Sequence, residues 1–140
     1  MVILDIDHFK QINDRFGLVV GDDILNDLVA LIAAHTRRYD QLFRFGGEEF
    51  VLLLPGVGSV DLKTVVAGLQ RIVRQYLHGP GGPVTVSYGV AMLKAGETAE
   101  SWLTRADHAL YRAKEAGRNR VIFADDSKPE RETESIRRSA

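Results

Sequence analysis

The sequence has no cysteine among its 140 residues. Disulfides, thiol nucleophiles and zinc–thiolate sites are therefore excluded, and the composition suits a reducing compartment. No apolar run approaches the length that spans a bilayer, so we expect no membrane contact by this chain. The formal net charge of -1 gives no bulk attraction for nucleic acid. With 45% apolar and 26% charged residues, the chain is expected to fold as one domain with its own core.

The apolar pattern predicts an α+β domain over residues 1–124. Strands are expected near 2–4, 42–45, 50–54, 84–92 and 121–123, and helices near 9–16, 22–37, 62–76 and 102–113, with a loop at HGPGGP. This βααββαβαβ order indicates a ferredoxin-like or palm-like plan: a central antiparallel sheet of about five strands flanked by helices. Residues 125–140 are polar, which is typical of a disordered end or a linker.

Four acids follow or precede predicted strands. Asp5 and Asp7 end the first strand, while Glu48 and Glu49 lie at the tip of a hairpin in the stretch RFGGEEF. Carboxylates that converge repel one another unless they are protonated or bound to a cation. The pattern therefore predicts a site for a hard divalent ion, Mg²⁺ above all. Solvated turn residues are the alternative explanation for each acid taken singly.

Several longer motifs resemble one known family, the GGDEF domain of diguanylate cyclases in its GGEEF spelling. They are LDIDHFKQINDRFG, GDDIL, RFGGEEF, SYGVA and ADHALYRAKEAGRN, and together they run from the first residues to about Phe123. The resemblance implies that two GTP molecules are condensed into cyclic di-GMP and two pyrophosphates across a head-to-head dimer of two such domains. It also implies two Mg²⁺ or Mn²⁺ ions for each active half-site. A bacterial cytosolic location follows from the family, although the parent protein could be membrane-anchored.

The resemblance assigns roles to individual residues. It implies metal binding by Asp5, the backbone of Ile6, Glu48 and Glu49, and the two glutamates are also expected to be catalytic. It implies guanine binding by Asn13 and Asp22, and close approach of GTP at Gly46 and Gly47. The phosphate contacts it implies are Lys10, the backbone of His8 and Phe9, Lys114 and Arg118. Plainer roles stay open for some of these residues. The glycines could instead supply positive φ in a tight turn, Asp22 could cap a helix, and Lys114 and Arg118 could be ordinary helix-end cations.

Four further residues are expected to be structural or surface residues. Asp107 and Asn119 match the family pattern but suit capping or turn bonds, and His8 and His35 have no metal-ligand spacing with any other histidine. Trp102 and Tyr111 are predicted to lie in the core.

A short motif precedes the hairpin. Arg37 and Asp40 fit the RxxD pattern that, by the resemblance, is an inhibitory site for cyclic di-GMP, and Arg74 is a further candidate contact. Arginine can bind phosphate through two hydrogen bonds and can stack on guanine. The alternative is that Arg37 and its neighbour simply finish a helix.

The sequence departs from the family at two places. Leu18 replaces a usual histidine before the GD pair, and no match is seen to the amino-terminal helix of the family. We therefore expect a missing sensor or dimerisation module and slow turnover by a lone domain. The rival functions are a non-catalytic receptor for GTP or cyclic di-GMP and a related palm-like enzyme such as an adenylyl cyclase. The intact acids disfavour the first, and the expected guanine contacts disfavour the second.

Overall fold

Seven strands and four helices follow one another along residues 1–124, the part of the chain that the computed structural model describes. In order they are β1 (Val2–Ile6), α1 (Phe9–Phe16), α2 (Leu18–Ala34), β2 (Gln41–Arg44), β3 (Glu49–Leu53), α3 (Ser59–Tyr76), β4 (His78–Gly79), β5 (Gly82–Pro83), β6 (Val86–Val90), α4 (Ala99–Glu115) and β7 (Val121–Phe123). The predicted α+β order is confirmed. The tail predicted for residues 125–140 lies outside the described residues.

Five strands form the main sheet in the order β2-β3-β1-β6-β7. The pairs β2–β3, β3–β1 and β1–β6 are antiparallel, as the sequence predicted. The last pair, β6–β7, is parallel, so the sheet is mixed rather than wholly antiparallel. The reason is the helical crossover: α4 carries the chain back along the sheet before β7 begins, and such crossovers join parallel strands.

Both faces of the sheet are covered, and β1 lies at its centre. Val2, Leu4 and Ile6 face the larger core cluster with α2 and α3, while Ile3 packs in the smaller cluster beside α4. Side chains alternate along a strand, so Asp5 belongs to the same face as Ile3. Asp5 therefore points towards the carboxyl-terminal end of α4, where it meets Lys114.

Three local expectations need correction. Helix α2 begins at Leu18, so Asp22 lies inside the helix and cannot be its cap. The HGPGGP segment, predicted as a loop, contains the two-residue ladder of β4 and β5. Tyr111 is 40% exposed on α4 and does not belong to the core. Trp102 is half-buried, and its Nε1 donates to the Ala91 carbonyl at 2.8 Å.

No helix within residues 1–124 combines the length and the apolar character needed to cross a membrane.

Candidate functional site

The fold brings Asp5 and Glu49 together. They are register partners on the neighbouring strands β1 and β3, and they are only 3% and 8% exposed. Lys114, near the end of α4, reaches the same place, with its Nζ 2.7 Å from Asp5 Oδ2. The two buried carboxylates thus share the sheet end with one cation, which offsets part of their mutual repulsion.

Glu48 lies at the turn between β2 and β3, beside this pair. Its carbonyl accepts from the Ile6 N–H at 3.3 Å, which joins the turn to the end of β1. Arg44, at the end of β2, also supports the turn, because its Nη2 donates to the Gly47 carbonyl at 2.7 Å. These bonds hold the backbone of the turn, and the side chain of Glu48 is half-buried beside Glu49.

The two glycines of the turn are not there for an unusual backbone conformation. Neither Gly46 nor Gly47 has φ in the left-handed region, so that part of the hypothesis is wrong. A Cβ placed on Gly47 would meet no heavy atom of residues 1–124 within 4 Å, and one on Gly46 would meet only Glu49 Cβ at 4.0 Å. The open space supports the other explanation, which is room for a ligand close to the backbone.

Asp7 does not join the acidic site. It is 4% exposed, and its Oδ1 accepts from Ser87 Oγ at 2.6 Å. Its Oδ2 accepts from Thr85 Oγ1 at 2.7 Å and from the backbone N–H of Asn119 at 3.0 Å. With both oxygens used in this way, Asp7 links three segments of the chain and is a structural residue.

The donor set suits a divalent ion bound together with a substrate. No group of three or more His, Cys, Asp or Glu in the described part of the chain could hold a metal ion by itself. Mg²⁺, however, is usually held by one or two carboxylates plus substrate phosphates. Asp5, Glu48 and Glu49 supply hard oxygen donors of this kind at one sheet end, so the residues present fit such an ion.

A second polar site lies between α1 and α2. The Asn13 Oδ1 is buried and has no hydrogen-bond partner among residues 1–124. Gly21 packs directly against it, since a Cβ there would stand 1.8 Å from that oxygen. Asp22 follows Gly21 and is exposed. A buried amide oxygen without a partner indicates a place for a polar ligand group or a water molecule.

The remaining predicted phosphate contacts lie at the ends of α1 and α4. His8 precedes α1 with φ 57°, and its side chain makes no capping bond to the first turn of the helix. Lys10 is exposed on α1. Arg118 lies in the turn after α4 with φ 64°.

The RxxD residues form a compact pair after α2. Arg37 Nη2 lies 2.8 Å from Asp40 Oδ1, and it also donates to the Pro55 carbonyl at 2.7 Å. Burial alone would raise the pKa of Asp40, but the hydrogen bonds and charge of Arg37 outweigh it and hold that pKa below its usual range. Arg74 is not part of this pair, because its Nε donates to Asn119 Oδ1 at 3.0 Å.

Comparison with known proteins identifies the family. Residues 1–120 match the family model described as diguanylate cyclase, GGDEF domain. The chain belongs to the GGDEF family. Among curated relatives, DgcP of Pseudomonas aeruginosa is 40% identical over 127 residues, and DgcM of Escherichia coli is 42% identical over 125 residues. Both are named diguanylate cyclases. Each match covers 89% of this chain but only 19% and 30% of the relative, so the chain spans less than a third of either.

Solved GGDEF domains share the fold. The GGDEF domain of DgcB from Caulobacter crescentus, determined in complex with c-di-GMP, matches with a TM-score of 0.80 and 35% identity, covering 88% of this chain and 75% of that one. The active GGEEF domain of a diguanylate cyclase from Vibrio cholerae matches with a TM-score of 0.82 and 28% identity, covering 89% and 81%. The family resemblance and the fold predicted from the sequence are both confirmed.

Sequence reasoning missed the supporting residues of this GGDEF domain. Ser87 lies in the SYGVA motif and Arg44 opens RFGGEEF, but neither motif says what its polar side chain binds. The pairing of β6 with β1 is what brings Ser87 Oγ within 2.6 Å of Asp7 Oδ1, and this pairing has no signal in either motif.

Proposed function

We propose that this GGDEF domain is the catalytic unit of a diguanylate cyclase that joins two GTP molecules into cyclic di-GMP. The observation that carries the proposal is the pairing of Asp5 with Glu49 at a buried sheet end, with Glu48 beside them in an open turn. The names of the relatives support the same chemistry. Each domain would bind one GTP, and two domains would meet head to head.

Asp5, the Ile6 carbonyl, Glu48 and Glu49 are the groups that would hold two Mg²⁺ or Mn²⁺ ions with the triphosphate. When bound, such ions polarise the α-phosphate and neutralise the departing pyrophosphate. Lys114 now neutralises Asp5 at 2.7 Å, and it would turn to the phosphates when the cation takes its place. Lys10, Arg118 and the N–H groups at His8 and Phe9 would bind the remaining phosphate oxygens.

In the proposed reaction the 3′-hydroxyl oxygen of each GTP forms a bond to the α-phosphorus of the other. The bond from that phosphorus to the β-phosphate bridging oxygen breaks, and pyrophosphate leaves. Glu48 accepts the hydroxyl proton, while Gly46 and Gly47 leave space for the nucleotide beside the turn. Catalysis then depends mostly on positioning and on charge neutralisation.

The decisive test is incubation of the chain, fused to a dimerising helix, with GTP and Mg²⁺, followed by chromatography of the products. Cyclic di-GMP and pyrophosphate are expected in a ratio of one to two. A dimerised protein that binds GTP without making cyclic di-GMP would refute the cyclase and favour the receptor function.

Guanine recognition is proposed for Asn13 and Asp22. An aspartate can accept from the N1 and N2 donors of guanine, and an asparagine amide can donate to its acceptor edge. The position of Asn13 supports this role, since Gly21, the residue before Asp22, packs against the Asn13 side chain. Adenine would leave these groups unpaired, which is a strong basis for discrimination.

Gly21→Ala is expected to raise the KM for GTP by about 10-fold, the value of one lost hydrogen bond. The new methyl group would stand 1.8 Å from Asn13 Oδ1 and force that side chain away. Steady-state kinetics with GTP measure the effect. Gly68→Ala is the matched control, since a Cβ there meets no described heavy atom within 4 Å inside α3. An unchanged KM in Gly21→Ala would remove Asn13 from the guanine site.

Product inhibition is proposed for the pair Arg37 and Asp40. Arg37→Ala is expected to raise the cyclic di-GMP concentration that halves activity by at least about 10-fold, because two charge-assisted contacts to phosphate are lost. The initial rate should remain within about 2-fold of the wild-type rate, since the pair precedes β2 whereas the turn with Glu48 follows it. Initial rates are measured at increasing cyclic di-GMP.

Arg38→Ala serves as the control for that variant, because Arg38 is the neighbouring exposed arginine. Inhibition that is equally strong in the Arg37→Ala and Arg38→Ala proteins would contradict the assignment.

A further inference from the structure

The turn between α4 and β7 has an unusual backbone. Arg118 has φ 64° and Asn119 has φ 48°, so two consecutive residues other than glycine lie in the left-handed region. This conformation is strained for residues other than glycine and persists only where the surrounding structure holds it. The contacts that hold this turn therefore fix the backbone position from which the Arg118 side chain extends.

Two side chains from distant elements hold the turn. Directly after β1, the buried carboxylate of Asp7 accepts from the Asn119 N–H at 3.0 Å. From the last turn of α3, Arg74 donates to Asn119 twice, through Nε to Oδ1 at 3.0 Å and through Nη2 to the carbonyl at 2.9 Å. We call Asp7, Arg74 and Asn119 the turn clamp. The clamp engages the backbone N–H, the backbone carbonyl and the side-chain oxygen of Asn119.

Asp7 is itself fixed in place. Thr85 and Ser87 donate to its two oxygens at 2.7 and 2.6 Å, so the carboxylate cannot swing away from the turn. The same strand end carries Asp5, whose partner Lys114 lies on α4 just before the turn. The cation before the turn, Lys114, and the cation within it, Arg118, are thus held relative to the end of β1.

We propose that the turn clamp is a positioning device for triphosphate binding: Arg74 and Asp7 hold Asn119 so that Arg118 is presented to the phosphates beside Asp5. This inference rests on the proposed function, because it takes a guanine nucleotide triphosphate as the ligand. Arg74 touches no substrate in this arrangement. It acts through Asn119, and its role differs from the inhibitory contact that the sequence suggested.

Arg74→Ala tests the clamp in the full 140-residue chain. We expect affinity for a GTP analogue with a methylene α–β bridge to fall by about 10-fold, since the released turn no longer positions Arg118 for a charge-assisted contact to phosphate. Affinity for guanosine, which has no phosphate, should stay within about 2-fold of wild type. Calorimetric titration with both ligands in the presence of Mg²⁺ measures the two changes.

Arg71→Ala is the matched control, because Arg71 is an exposed arginine one turn earlier on α3. It should leave both affinities unchanged. Equal losses for the analogue and for guanosine would show a general structural defect and overturn the proposal, as would an unchanged affinity for the analogue. The titration measures binding and needs no turnover. A chain that binds the analogue but makes no cyclic di-GMP would refute the cyclase. The effect of Arg74→Ala on affinity for the analogue, compared with its effect on affinity for guanosine, would still test the clamp.

Discussion

Glu48→Gln is expected to lower cyclic di-GMP formation by at least about 100-fold, because glutamine can neither accept the 3′-hydroxyl proton nor ligate a divalent ion as a carboxylate does. The fold should survive, since Glu48 holds the turn through its backbone carbonyl, which accepts from Ile6 at 3.3 Å. Product is measured by chromatography after incubation of the dimerised chain with GTP and Mg²⁺.

Glu100→Gln supplies the control for this loss. Glu100 is an exposed acid in the first turn of α4, so its replacement removes the same charge without touching the site. Its rate should match the wild-type rate. A Glu48→Gln protein that keeps more than about a tenth of wild-type activity would rule out a catalytic role for this carboxylate.

Gly89→Ala is expected to destabilise the domain by at least about 3 kcal/mol, the upper end of the usual overpacking cost. Gly89 lies in β6, where α4 packs against the strand backbone. A Cβ would stand 2.2 Å from the Ala106 carbonyl oxygen and 2.3 Å from the Leu110 nitrogen. These are backbone atoms, so relief requires α4 to move as a whole.

Chemical denaturation followed by circular dichroism measures this loss. Gly68→Ala is again the control, because α3 leaves open space at that position and alanine favours a helix by up to about 1 kcal/mol. A Gly89→Ala protein as stable as the wild type would contradict the close packing of α4 on β6. Because α4 also carries Lys114 to Asp5, any shift of the helix should weaken GTP binding as well.

The site illustrates which features could be predicted from the chain. Asp5, Glu48 and Glu49 were predicted to converge because each lies at the end of an apolar run or beside one, and the fold does bring Asp5 opposite Glu49. Asp7 met the same criterion and was wrongly grouped with them. The difference lies in Thr85 and Ser87, which come from β6 and occupy its oxygens.

Arg74 shows the same limit. As an arginine near a helix end it has no distinctive pattern, and the sequence suggested an inhibitory contact with Arg37 and Asp40. Its partner, Asn119, lies 45 positions away and is recognised only once α3 and the α4–β7 turn are adjacent.

By itself, the sequence determined the strands, the helices and the family, because hydrophobic periodicity and turn residues act over a few neighbouring positions and the family motifs are contiguous. Tertiary structure alone decided the parallel β7, the role of Asp7 and the pairing of Lys114 with Asp5. Asp7 and its partner Asn119 lie 112 positions apart in the sequence, and Asp5 and Lys114 lie 109 positions apart. Hydrogen bonds and ion pairs of this kind leave no local sequence pattern, because their partners lie on elements that are far apart in the sequence and meet only in the folded domain.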